Sequence, residues 1–161
     1  MPTRKALDYL ECSVANTVEV IGDRWSVLIL RDAFLGVRRF DDFCRDLGIA
    51  RNVLADRLAA LVEAGVLRTR AYEDHPPRHE YLLTDKGKDL FDVLVALWKW
   101  GDRWAAPAGL PLRRLHHLDC GTDTHSVVTC GECGGALTNR NVRIEPPLAV
   151  VADRLAGAAA G

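Results

Sequence analysis

The chain has no uninterrupted apolar run near the roughly 20 residues that a membrane-crossing helix needs, so no membrane partner is expected. Its opening stretch, MPTRKALDYLEC, carries basic residues but lacks the continuous apolar segment and small-residue cleavage site of a secretory signal. The expected compartment is cytoplasmic. Charge imbalance is missing too, since 21 Lys and Arg stand against 22 Asp and Glu for a formal net charge of −1. Overall neutrality does not exclude a nucleic-acid partner, because basic residues gathered on one face act locally. An even cysteine framework is also lacking. Five unevenly placed cysteines do not make a secreted disulfide scaffold, and in a reducing compartment a cluster of them reads as metal ligands or reactive thiols. There is no internal repeat, no phosphate-gripping glycine loop and no nucleophile elbow, and the His and Asp residues have no paired nucleophile. An enzyme is therefore not expected.

What is present is an ordinary globular composition, 48% hydrophobic and 27% charged. The 161 residues allow one well-buried domain of roughly 100 residues and a small appendage. Leu7, Leu10, Val14, Val18 and Ile21 recur at helical spacing until Gly22 stops them. Asp23 is placed to cap the next helix, RWSVLILRDAFLG, which is apolar around most of its circumference and belongs in the middle of a core. Beyond Arg38 and Arg39 come two short amphipathic helices. FDDFCRDLG puts Phe40, Phe43, Cys44 and Leu47 on one face, and IARNVLADRLAALVEAG does the same with Val53, Leu54, Leu58, Leu61 and Val62. Gly48 and Gly65 close them, and the connection of about three residues is that of a helix-turn-helix.

VLRTRAY and RHEYLLT have strand-like spacing on either side of EDHPP, which predicts a hairpin with a projecting loop. Thr84 is expected to cap one long helix, DKGKDLFDVLVALWKWGDRW. There Leu90, Leu94, Leu97, Gly101 and Trp104 repeat in steps of four and three while Phe91, Val93, Trp98 and Trp100 widen the apolar surface. That surface exceeds what one small domain buries and implies a homodimer seam. The fold class expected is mainly α with a small β-hairpin (α+β). Residues 1–106 form a winged helix-turn-helix and dimerisation domain, 107–115 a linker, 116–148 a zinc-ribbon-like module and 149–161 an Ala/Gly-rich tail. HSVVTC is expected to supply a strand of that module, and NVRI another.

In a winged helix the second helix of the turn enters the major groove and the wing reaches the backbone or minor groove. The outward residues near that helix's start are Arg51, Asn52, Ala55 and Asp56. Arg suits the guanine edge, Asn the adenine edge and Ala a thymine methyl. Arg38, Arg39, Arg68, Arg70, Arg78 and His79 are candidate phosphate or minor-groove contacts. Arg57, at the edge of the buried face, is a weaker candidate, placed to pair with Glu63 or Asp46. The partner expected is a double-stranded DNA operator. The alternative is a winged-helix and zinc-ribbon module for protein–protein contact without DNA; it calls for an uncharged or acidic recognition face, against which Arg51 and Asn52 speak.

The succession IGDRW, LILRD, RRFDDF, LADRLAALVEAGVL and PPRHEYLLTDKG, with a cysteine ahead of the first helix, resembles the DNA-binding domain of HxlR-type transcriptional regulators, a winged-helix family related to the MarR type. The likeness covers about half the chain. It implies a homodimeric regulator, a repressor or an activator, on an inverted-repeat operator, with a small-molecule effector among its partners. One departure is Ala50, where such sequences often carry a Ser or Thr cap, a difference of about 1 kcal/mol in helix stability. Family members that respond to electrophiles or oxidants place a cysteine just before the first helix. Cys12 occupies that position, and Arg4 and Lys5 are near it in sequence. It is a candidate thiol sensor, with small apolar filler as the blander role.

The remaining cysteines are clustered. His117-x2-Cys120 and Cys130-x2-Cys133 form two short pairs separated by nine residues, each followed by a glycine, Gly121 and Gly134. Two-residue spacers let both members of a pair reach one ion, and four N or S ligands suit one structural Zn2+ per chain. The fourth ligand is His117, His125 or His116, with His117 favoured by symmetry. A Cys130–Cys133 redox dithiol and unconnected thiols are the competing readings.

Overall fold

The computed structural model describes residues 12–74, 77–106 and 114–143. Its elements are α1 (Ser13–Ile21), α2 (Arg24–Phe34), α3 (Phe40–Leu47), α4 (Arg51–Glu63), β1 (Leu67–Asp74), β2 (Pro77–Leu83), α5 (Asp85–Lys88), α6 (Phe91–Trp104), β3 (Leu115–His117) and β4 (Thr122–Thr124). Contacts divide the chain into two units, Met1–Arg114 and Leu115–Gly161.

In the first unit α2 is the central helix, touching α1, α3, α4, α6 and β2. Asp23 starts it by accepting the Trp25 and Ser26 amides at 2.9 and 3.0 Å. Its Ile29 and Leu30 meet Phe43 of α3, Leu54, Leu58 and Leu61 of α4, and Val66 and Leu67 of the hairpin in one core. On α4 those positions are four and three residues apart, the apolar stripe expected of the second helix of a helix-turn-helix. Gly48 ends α3 at φ 60, with its amide on the Cys44 carbonyl at 3.0 Å, a left-handed turn that a side chain would strain. The chain then enters α4 within three residues.

β1 and β2 pair antiparallel from Leu67↔Leu83 to Asp74↔Pro77, with a bulge between Ala71 and Glu73. Arg39 bridges Glu80, and the Tyr81 amide reaches the Arg38 carbonyl at 2.8 Å, so the approach to α3 adds a minimal third strand. The wing is thereby fixed to the helix-turn-helix. Its tip, His75 and Pro76, lies outside the described residues, as do Arg4, Lys5, Leu7 and Leu10, residues 107–113 of the linker and the 149–161 tail.

The single long helix expected after Thr84 is two. Thr84 caps as anticipated, accepting the Gly87 amide at 3.0 Å, and Lys86 donates to the Ala64 carbonyl at 2.7 Å. The Lys86 bond, with the Thr84 hydroxyl donating to the Gly65 carbonyl at 2.6 Å, ties α5 to the end of α4. α6 instead leans on α2, where the rings of Phe34 and Phe91 lie 5.4 Å apart. Between the two anchors the Leu90 amide bonds Gly87 rather than the residue four back, and the helix breaks at that tightened turn.

In the second unit β3 and β4 pair from Leu115↔Thr124 to His117↔Thr122. The strand expected in HSVVTC is absent; that segment has only the isolated bridge Thr129↔Ala136. The tight turn after His117 brings Thr122–Thr124 back beside β3, so the pairing is local and is complete before His125. Asn141 of NVRI lies in a turn held by its own side chain, which accepts the Thr138 amide at 2.7 Å, and Val142 and Arg143 are not in a strand.

Candidate nucleic-acid interface and cysteine cluster

α4 divides cleanly by face. Leu54, Leu58 and Leu61 are buried, whereas Arg51, Asn52, Ala55 and Asp56 are exposed. Ala50 takes the N-cap conformation without a side-chain bond, leaving the first amides of α4 free of an Ala50 side-chain partner. Arg51 is held from α3: its guanidinium lies 4.8 Å over the Phe40 ring and 2.6 Å from the Asp41 carboxylate. The Arg51 bond keeps the Asp41 carboxyl below its ordinary value, and the same contact raises Arg51.

A groove of about 570 Å³ opens between the starts of α3 and α4 and the wing. It brings together Arg39, Arg51 and the adjacent Arg78 and His79, from three separate stretches of the sequence, beside Tyr72 and Arg45. Arg39 stacks over the Tyr72 ring at 4.6 Å, and Arg78 approaches Glu73 at 3.3 Å. Arg38, Arg68 and Arg70 are exposed but do not line the groove; Arg70 meets its cross-strand neighbour Glu80 at 2.7 Å. Arg57 pairs with neither Glu63 nor Asp46. It lies 3.5 Å from Asp23, because α4 crosses the start of α2, and Asp46 is taken by Arg31 at 2.9 Å. Sequence reasoning missed Asp41, Phe40 and Tyr72 as neighbours of the arginines. Each contact joins separate elements, so no spacing announces it.

Cys12 is the N-cap of α1, partly buried and without a side-chain cap bond.

In the second unit the two pairs are built alike. The Gly121 amide returns to the His117 carbonyl at 2.8 Å and the Gly134 amide to Cys130 at 2.9 Å, with φ of 68 and 69. Each pair therefore closes in a turn that needs glycine at its end. His117 Nδ1 lies 3.2 Å from Cys120 Sγ, while His116, on the alternate side of β3, meets Asp123 at 3.2 Å. The Thr122 hydroxyl and amide hold the Cys120 thiol below its ordinary value. The Cys133 and Glu132 amides and the Cys133 thiol do the same for Cys130. Among the described residues no three His, Cys, Asp or Glu converge on one point, so the pairs are formed but not joined. No described side chain of this unit is buried.

A helix-turn-helix whose second helix exposes Arg51 and Asn52 beside an arginine-bearing wing defines a DNA-binding protein of the winged-helix class. The chain belongs to the HxlR-like helix-turn-helix family, which matches residues 20–108. It is a DNA-binding transcriptional regulator. An HTH-type transcriptional regulator of Mycobacterium tuberculosis, Rv3095, is 46% identical over 135 residues, covering 83% of this chain and 85% of the relative. That match is longer than the first unit, which ends at Arg114, and so reaches into the second. Among solved structures, the transcription factor PA1607 is 39% identical with a TM-score of 0.79, covering 89% of this chain and 100% of that one. The oxidised redox regulator HypR is 29% identical with a TM-score of 0.55, covering 60% of this chain and 100% of that one.

Proposed function

We propose that the protein is a homodimeric repressor that occupies an inverted-repeat operator, with α4 in the major groove and the wing along the backbone. The carrying observation is the groove that gathers Arg39, Arg51, Arg78 and His79 from three elements beside the exposed start of α4. In this reading Arg51 and Asn52 read base edges, and the free amides of α4 with Arg39, Arg78 and His79 grip phosphates. The exposed apolar face of α6 supports the dimer. A cavity of about 270 Å³ lined by Val20, Ile21, Val66, Leu90 and Lys86 suits an apolar effector of small size. Footprinting on promoter DNA of the gene's own neighbourhood tests the reading. Protection of a two-fold site that weakens with salt, by about 0.9 log units per tenfold rise in salt for each neutralised phosphate, is expected. Uniform binding without salt dependence overturns it.

The two pairs of the second unit fit zinc chemically: each offers two N or S donors on a glycine-closed turn, and the Cys120 and Cys130 thiols are held below their ordinary value. In our reading His117, Cys120, Cys130 and Cys133 would hold one structural ion, which would draw the pairs together and supply the cohesion that a unit without buried side chains lacks. Cys12 is read as a thiol sensor, supported by the similarity to a redox regulator. Diamide should release DNA from the parent protein and not from Cys12→Ser; equal release from both rules the sensor out.

A further inference from the structure

We infer that Asp41 determines how selectively Arg51 reads DNA, an inference that rests on α4 being the recognition helix. Both partners of the Arg51 guanidinium come from the first turn of α3: the Phe40 ring at 4.8 Å and the Asp41 carboxylate at 2.6 Å. The carboxylate sits at a helix N-terminus, where the helix dipole favours its charge, and it lines the same groove as Arg39, Arg78 and His79. Two consequences follow from that placement. The pair offsets part of the Arg51 charge, and charge is what a phosphate of any sequence responds to. It engages one nitrogen, Nη1, and leaves the other N–H donors in a fixed plane over Phe40. A guanine edge is uncharged and answers to donor geometry rather than to net charge. Asp41 therefore weakens contacts common to all DNA and preserves the contact that discriminates.

The neighbouring Asp42 provides the comparison. It lines the same groove and carries the same charge, but its partner is Arg45 at 2.5 Å, not Arg51. The test measures binding of the full chain to two duplexes, one selected by the parent protein from a randomised pool and one scrambled. For Asp41→Asn, affinity for the scrambled duplex should rise roughly 3- to 10-fold, with a salt slope steeper by about 0.9, as for one additional phosphate contact. Affinity for the selected duplex should stay level or fall, so the ratio between the two drops at least about 3-fold. Asp42→Asn should raise both affinities together and keep the ratio. Asp41 is 72% exposed, and an unchanged melting temperature would show that the fold is intact. An Asp41→Asn protein that keeps the parent's ratio, or an Asp42→Asn protein that loses it equally, overturns the inference while leaving the recognition helix in place. A parent that binds both duplexes alike overturns the recognition reading itself, and this inference with it.

Discussion

The Asp23 carboxylate that caps α2 also lies 3.5 Å from the Arg57 guanidinium of α4, so one side chain starts the central helix and ties the recognition helix to it. Burial pushes this carboxyl up, but bonds from the Ser26 hydroxyl, the Ser26 and Trp25 amides and the Arg57 charge outweigh it and hold the group below its ordinary value. Asp23→Ala should cost about 1–2 kcal/mol from the lost cap and pair, read as a lower denaturant midpoint at unchanged slope. The sign of the pH effect follows from the depressed value. The charged carboxylate stabilises the fold above the unfolded-state value of about 3.9, and that stability disappears as pH falls through the lower folded value. Asp23→Asn should therefore show a flatter acid limb than the parent. An acid limb identical in the two proteins would remove Asp23 from this role.

Asp32 behaves in the opposite sense. Its side chain is 0% exposed, one oxygen accepts from Arg31, and Oδ2 has no hydrogen-bond partner. Burial raises its carboxyl above the ordinary value, the Arg31 contact opposes this, and the nearby Asp46 adds to the rise. A group with a raised folded value contributes stability below the unfolded value and loses it as pH climbs through the folded one. Relative to Asp32→Asn, the parent should lose stability between acid and neutral pH. Denaturation curves whose difference moves the other way over that range would contradict the assignment.

The helix-turn-helix was legible because its signals are local. Phe40, Phe43 and Leu47, then Leu54, Leu58 and Leu61, carry the helical period, and Gly48 marks the turn. The long helix after Thr84 was misread since the pattern through Leu90 and Leu94 is continuous. Its break comes from Thr84 and Lys86 tying α5 to the carbonyls at the end of α4 while Phe91 packs on Phe34, a conflict between distant elements. The groove was half legible. Arg39, Arg51, Arg78 and His79 stood out by type, but Asp41 reaches Arg51 only across the turn.

The apolar face of α6 carries a prediction about assembly. Leu97, Trp100 and Trp104 are 49%, 62% and 66% exposed in the single chain, although Val95 of the same helix is buried. Aromatic side chains of that size are strong anchors in protein–protein contacts. Sedimentation should show a dimer for the parent and a monomer for Leu97→Glu or Trp104→Glu, with operator affinity lowered about tenfold or more because two half-sites no longer bind together. A parent that sediments as a monomer at all accessible concentrations defeats the seam.

The second unit yields the sharpest metal test, because its two turns are alike while its described side chains are all at least partly exposed. The β3–β4 ladder spans only Leu115–His117 and Thr122–Thr124, too short a hairpin to persist by itself in water. Protein purified without chelator should carry one equivalent of zinc by mass spectrometry. Cys130→Ser and His117→Ala should each lose it, whereas His116→Ala, which removes the Asp123 contact on the alternate side of β3, should keep it. Chelation should open residues 115–143 to protease and leave the main thermal transition in place, since the first unit has its own core from Ile21 to Leu67. Less than half an equivalent of zinc in the parent, or His116→Ala losing metal while His117→Ala retains it, would replace this ligand set.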